Sequence, residues 1–275
     1  GQVGTLVVIG GNPAYAAPAD ISFADALEAV GTVVRLGLYE DETSALAQWH
    51  LPQAHTFESW GDCSAWDGTR YVTQPMIRPL YDGRSGLELL AMLAGVEEEA
   101  QDIVRSGLDE SAWRKVLHDG FVPASTAAPI APAGRSIPGL SFSSGALAKG
   151  VPANGQLELV LYACPKVVDG RFANSGWLQE LPEFMTKLTW DNAALIGPVT
   201  AAELKVGNED LITLTIGGRE LTCAVYVLPG QAAGSVGLAL GYGRPRAGHV
   251  GGLSDEAGVP SVGFNSYRLL SRAGY

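Results

Sequence analysis

Two short segments at the ends of apolar runs carry residue types that can hold a nucleotide. Gly10-Gly11-Asn12 follows the run Thr5–Ile9, and Glu42-Thr43 follows the run Thr32–Leu38. Backbone N–H groups at a Gly-rich strand end can cradle phosphate. A carboxylate at the next strand end can accept from a ribose hydroxyl. A Gly-Gly-Asn turn is equally ordinary punctuation between elements. Gly11, Asn12, Glu42 and Thr43 are therefore read two ways, as nucleotide ligands or as residues that only turn the chain. Asn265, within Gly263-Phe264-Asn265-Ser266-Tyr267-Arg268, is a further candidate. Its amide offers a donor and an acceptor to a ring edge. The competing reading has Asn265 and Tyr267 closing a barrel against its neighbour.

Other chemistries lack their residues. The four histidines are His50, His55, His118 and His249. His50 and His55 miss the i, i+4 spacing of a helical metal pair, and no carboxylate stands at ligand spacing, so no metal site is expected. Cys63, Cys164 and Cys223 are far apart and form no CxxC. They cannot supply the thiolates of an iron–sulfur cluster or a structural zinc, and they read as three buried free thiols. No Gly-x-Ser-x-Gly elbow occurs. Glu180, Glu183 and Asp191 lack any signature of paired-carboxylate chemistry. No residue is singled out as catalytic.

The elements that position these residues fall into two groups. Thr5–Ile9 and Thr32–Leu38 read as strands by their β-branched content. Ser22, with Asp25 at capping-box spacing, opens a helix between them, and Ser44–Trp49 reads as a short helix. This order predicts a parallel sheet whose ligand crevice lies beyond the strand ends. Ser85 caps a helix over Gly86–Ala94 with Leu87, Leu90 and Ala94 on one face. Glu97-Glu98-Glu99 starts a further helix, and Glu110–His118 is another, stopped at Gly120. Val122–Pro152, rich in Ala, Pro, Ser and Gly, reads as a linker or an extended arm. A β unit follows. Leu157–Ala163 and Thr189–Ile196 are strands, and Pro198 starts a short helix. Leu211–Ile216 suits a strand packed on both faces. Gly217-Gly218 is a hairpin loop, followed by strands over Glu220–Leu228 and Ser235–Leu240. Ala247–Pro260 is a Gly-rich loop, and Val262–Leu270 a final strand. The strands and inserted helix fit a small closed barrel.

At 275 residues the chain can bury a proper core and hold one or two domains. Its net charge of −11 excludes nucleic acid as a partner, because that binding is dominated by Lys and Arg on phosphate. The same charge opposes a polybasic membrane-surface role. No apolar run reaches the roughly 18 residues that span a bilayer; Leu87–Val96 comes nearest, and Glu88 interrupts it. Trp60, Trp66, Trp177 and Trp190 read as packing or interface anchors.

Several of these segments resemble one family. The barrel stretch Lys187–Tyr242 looks like the C-terminal double-psi β-barrel of the molybdopterin oxidoreductase superfamily. Gly10-Gly11-Asn12-Pro13, Glu42-Thr43, Leu51-Pro52 and Glu58-Ser59-Trp60-Gly61-Asp62 resemble the pattern of its third domain, with Gln48 where that pattern has Asp. Gly170–Pro198, Leu51–Asp62 and Gln74–Gly95 are closer to the large iron–sulfur/molybdopterin-like subunit of bacterial alternative complex III. The resemblance implies a Rossmann-like α/β domain over 1–121, a linker over 122–152 and a double-psi β-barrel over 153–275. It implies part of a quinol:electron-acceptor oxidoreductase, passing electrons toward a cytochrome c or an oxidase, on the periplasmic face of the inner membrane, partnered by cytochrome c and integral membrane quinol-binding subunits. Iron–sulfur clusters would lie elsewhere in the parent chain. Arg171 stands in the barrel segment that reaches the pterin in molybdenum enzymes, but no histidine follows it. A scaffold without the molybdenum cofactor is therefore expected, with Gly11, Asn12, Glu42, Thr43 and Asn265 as vestigial ligands. The alternative is a molybdenum bis-guanine-dinucleotide oxidoreductase of formate, polysulfide or nitrate type, with those residues holding the dinucleotides.

Overall fold

A computed structural model describes residues 2–131, 134, 156–253 and 258–272. The chain opens on a parallel sheet of β1 (Thr5–Ile9), β2 (Thr32–Gly37) and β3 (Trp49–Pro52), in the order β1-β2-β3. Thr5 pairs with Thr32, and Val34 with Trp49. The central strand buries Val33 and Leu36. β1 is a half-exposed edge, not a buried strand.

Helices α1 (Pro13–Ala16) and α2 (Phe23–Glu28) connect β1 to β2. Ser22 does not cap α2. Its backbone is left-handed at φ 49° and its side chain makes no cap bond, so the Ser22–Asp25 capping box is absent. The helix expected over Ser44–Trp49 is also corrected, to a 3-10 turn at Ser44–Leu46 followed by β3. Gln48 explains the change. Its N–H donates to Val33 O at 3.1 Å and its Oε1 accepts from Val33 N–H at 2.6 Å, so sheet pairing takes over at that residue.

A hairpin of β4 (Gly61–Ser64) and β5 (Arg70–Thr73) and the helices α3 (Gly86–Leu93), α4 (Ala100–Arg105) and α5 (Glu110–Asp119) complete this half. Ser85 and Glu88 form the full capping box of α3. Gly120 closes α5 at φ 81°, a left-handed conformation that favours glycine. Val72, Val104, Trp113 and Val116 form a core here, and Trp60 packs on Trp113. The buried residue of α3 is Leu89, whereas Leu90 is exposed, so the expected Leu87–Leu90–Ala94 face is not the inner one. Cys63 lies on the open side of the hairpin and is exposed; only Cys164 and Cys223 are the buried thiols expected of all three. Of the expected linker, Val122 and Ala127 bond along the hairpin, donating to Arg70 O and Asp67 O. Most of the rest, to Pro152, lies outside the described residues.

The second half is a β-barrel unit. β6 (Glu158–Ala163), β7 (Ala194–Ile196), β8 (Leu211–Ile216), β9 (Arg219–Val227) and β10 (Ser235–Leu240) pair in the order β6-β10-β7-β9-β8. The pairs β6/β10 and β7/β9 are parallel, and the others antiparallel. With the parallel sheet before it, this gives the α/β architecture with a double-psi-type barrel that the sequence predicts. Ala194, Ile196, Cys223, Val225 and Val236 form the barrel core. Short helices α6 (Gly176–Glu180) and α7 (Pro198–Leu204) are inserted, with Pro198 in the first turn of α7.

Gly217-Gly218 makes the β8–β9 turn with both φ angles positive. β8 is covered on one face only; Leu211 and Ile216 are exposed. The strand expected over Thr189–Ile196 shrinks to Ala194–Ile196, because Trp190 turns left-handed at φ 59° and Asn192 uses its side chain to bridge Ala239 and Phe264. The last strand expected over Val262–Leu270 is instead a 3-10 turn at Ser266–Leu269. Within the Gly-rich loop, β11 (Arg246–Gly248) and β12 (Gly252–Leu253) form a small hairpin.

Candidate functional site

The carboxyl ends of β1 and β2 face the barrel across an open crevice of about 390 Å³. Gly10, Gly11, Asn12 and Tyr15 line one wall, and Asp169, Gly170, Arg171 and Arg244 the other. Crevices of this size at strand ends hold ligands in open α/β sheets. The structure places Gly11 and Asn12 at the crevice; Glu42 and Thr43 do not line it and are joined to Asn12 by hydrogen bonds.

Those bonds run inward. Asn12 Nδ2 donates to Glu42 Oε2 at 2.6 Å, and Asn12 Oδ1 accepts from both the N–H and the hydroxyl of Thr43. Thr43 Oγ1 in turn accepts from Ala14 N–H at 3.1 Å. The turn donors are also used: Gly10 N–H donates to Leu36 O and Gly11 N–H to Ile9 O. A phosphate cradled here would have to break these bonds.

Glu42 meets the barrel instead of a sugar. Arg244 donates to both of its oxygens, at 3.2 Å from Nε and 2.7 Å from Nη2, and Arg246 N–H adds a third bond at 3.2 Å. Both side chains are nearly buried. Arg244 also donates to Gly170 O and Arg246 O, and its guanidinium lies 5.3 Å from the centre of the Tyr15 ring. Tyr15 closes the contact by donating to Tyr242 O at 2.6 Å. Burial pushes its hydroxyl pKa well up, so it stays protonated.

The other two crevice arginines are matched in the same way. Arg35 is wholly buried in the middle of β2 and donates to both oxygens of Asp41, to Leu36 O and to Gly10 O. Its guanidinium lies over Gly37, where a Cβ would come within 2.9 Å of it. Burial pushes the Asp41 carboxyl up, but Arg35 and the N–H and hydroxyl of Ser44 outweigh this and hold it below the usual carboxylate range. At the mouth, Arg171 is bidentate to Asp169, at 2.9 and 2.8 Å. That guanidinium holds the Asp169 carboxyl low, against the push from burial.

Asn265 does not reach this network. Its Oδ1 accepts from Tyr267 N–H and caps the last 3-10 turn, the barrel-closing reading of the residue. His50 Nδ1 is 2.9 Å from Ser44 Oγ and serves the β2–β3 connection. Among the described residues no cluster of His, Cys, Asp and Glu could hold a metal. Arg35 was missed by sequence reasoning, although a lone arginine inside the apolar run Val33-Val34-Arg35-Leu36 is the signal that could have found it. Arg244 stands in Gly241-Tyr242-Gly243-Arg244, a candidate segment of the sequence, but its pairing with Glu42 had no signal, because that partner is distant in the chain.

Comparison with solved structures finds acetylene hydratase from Pelobacter acetylenicus similar to this chain, with a TM-score of 0.66 and 16% identity over 97% of this chain. The likeness supports a molybdopterin-oxidoreductase-like fold and, at that identity, shows the fold alone. The chain spans 40% of the length of that protein. No family model and no curated protein sequence matches.

Proposed function

We propose that this chain is a scaffold segment of the large subunit of a respiratory quinol:cytochrome c oxidoreductase of the alternative complex III type. It carries no bound molybdenum cofactor and supports iron–sulfur electron transfer located elsewhere in the parent chain. One observation supports the scaffold reading above others. The three arginines lining the crevice, Arg35, Arg171 and Arg244, are each matched by a carboxylate of this same chain: Asp41, Asp169 and Glu42. A pyrophosphate needs unmatched positive charge and open N–H donors. Here the charges are paired and the turn donors used: Glu42 joins the two halves of the chain through Arg244, while Asp41 and Asp169 hold Arg35 and Arg171 within their own halves. The residues do not fit a dinucleotide held by Gly11, Asn12, Glu42 and Thr43 without rearrangement. The respiratory assignment rests on the sequence resemblance of Gly170–Pro198 and Leu51–Asp62. Partners are then cytochrome c and integral membrane quinol-binding subunits at the periplasmic face.

The second reading, a molybdenum enzyme of formate, polysulfide or nitrate type, is favoured by the crevice volume and its position beyond the strand ends. Under it, the dinucleotide would displace Asp169 from Arg171 and Glu42 from Arg244. The deciding assay is turnover by the natively purified parent complex. Quinol-dependent reduction of cytochrome c is expected. Formate, polysulfide or nitrate turnover without quinol:cytochrome c activity would overturn the proposal.

A further inference from the structure

Helix α3, Gly86–Leu93, has the sequence GLELLAML, apolar on every side apart from Glu88. A helix apolar all round belongs in an interior. Yet Leu90, Met92 and Leu93 are 56%, 66% and 59% exposed, while Leu89 alone of its leucines is fully covered. On one side of the helix Met92, with Val96 just beyond its end, lines an apolar-floored groove of about 430 Å³ running over Leu51 and Pro52.

The groove's rim decides what can cover it. Its walls carry five carboxylates, Asp82, Glu88, Glu97, Glu98 and Glu99, against one guanidinium, Arg84. Arg84 is already paired with Glu88 at 3.2 Å. Glu97, Glu98 and Glu99 are exposed side by side at the end of the apolar strip. A second copy docking face to face would bring its own Glu97–Glu99 against this rim, and like charges set opposite each other are costly. An anionic lipid surface meets the same repulsion. An occupant that satisfies both features has an apolar face flanked by Lys or Arg.

We propose that the bare face of α3, with its Glu97–Glu99 rim, docks a basic amphipathic segment of another protein. The apolar strip supplies the contact area and the carboxylates select the charge of the partner. The inference rests on this surface and stands whether or not the respiratory assignment does.

The test titrates the full chain with a short fluorescent Leu/Lys amphipathic helix and reads anisotropy, with a Leu/Glu helix of the same pattern as control. Saturable binding of the Leu/Lys helix alone is expected. Changing Glu97→Gln, Glu98→Gln and Glu99→Gln together should weaken it about tenfold, the combined effect of three exposed ion pairs. Met92→Ser with Val96→Ser, the exposed apolar residues that line the groove, should weaken it by a similar factor of about ten, from the lost apolar contact. Glu203→Gln, Glu209→Gln and Glu220→Gln make the same change in net charge at exposed barrel positions and should leave binding unaltered. Equal weakening by both triple variants would mean that net charge alone attracts the peptide, and would overturn the proposal. So would no binding, or sedimentation showing a dimer that Met92→Ser/Val96→Ser dissolves, which would make a second copy the occupant.

Discussion

Removing the Glu42 carboxylate is the sharpest way to disturb the join between the two halves. In Glu42→Ala, Arg244 loses bonds of 3.2 and 2.7 Å, Arg246 N–H loses an acceptor, and Asn12 Nδ2 loses its partner. The Arg244 side chain is only 6% exposed, so its charge is left where water reaches it poorly. Breaking a buried pair from one side costs about 3–5 kcal/mol. Arg244 keeps Gly170 O, Arg246 O and the Tyr15 ring, which places the cost at the lower end, about 3 kcal/mol. For a chain of 275 residues that corresponds to a melting shift of about 5 °C. Urea unfolding followed by tryptophan fluorescence reads it, since Trp60 and Trp113 report the first half and the partly covered Trp190 the second. The double variant Glu42→Ala/Arg244→Met removes the stranded charge and should recover about half the loss. A loss below about 1 kcal/mol would refute the reasoning, placing the pair in the range of exposed bridges. A double variant no better than the single would also refute it.

Other outcomes follow from single sites. Asp191 is raised by burial, only partly offset by Asn192 N–H. A raised carboxyl contributes stability below its unfolded pKa and loses it as pH rises through the folded value. Asp191→Asn should therefore be more stable than the parent at neutral pH, with the gain vanishing in acid melts. Asp41 is depressed, so its contribution is present above the unfolded carboxylate pKa and lost as pH falls through the folded one; Asp41→Asn should destabilise at neutral pH and match the parent in acid. Gly243 has φ +67° and a Cβ there would fall 2.2 Å from Asn265 N, so Gly243→Ala should cost well over the roughly 1 kcal/mol of left-handed backbone alone, measured by urea unfolding. Ser85→Ala removes half of the capping box on α3 and should cost about 1 kcal/mol in the same assay. A thiol-reactive dye should label Cys63 quickly in the native chain and reach Cys164 and Cys223 only in denaturant.

What the sequence made legible was local. Pro198 in a first turn, Gly217-Gly218 between strands, Ser85 as a helix cap, and Gly120 after a helix all appear in the structure as written, because each acts within a few residues. What failed depended on distant partners. Gln48 draws its segment onto β2, and Asn192 holds Phe264 across the barrel. Ser22 had cap chemistry but a left-handed backbone, which spacing does not reveal. The crevice was half legible: Gly11 and Asn12 do line it, with Glu42 and Thr43 tied to Asn12. That Glu42 answers to an arginine far along the chain required the fold.

The most direct measurement is the molybdenum, tungsten and oxidised-pterin content of the natively purified parent complex, taken together with its iron and haem. Near-zero metal and pterin, with iron and haem present, is the expected result; Glu42 is then part of a join, and Gly11, Asn12 and Thr43 belong to the turns behind it and are not ligands. About one molybdenum or tungsten per chain, with pterin to match, would contradict the scaffold reading and turn the crevice into a working cofactor site.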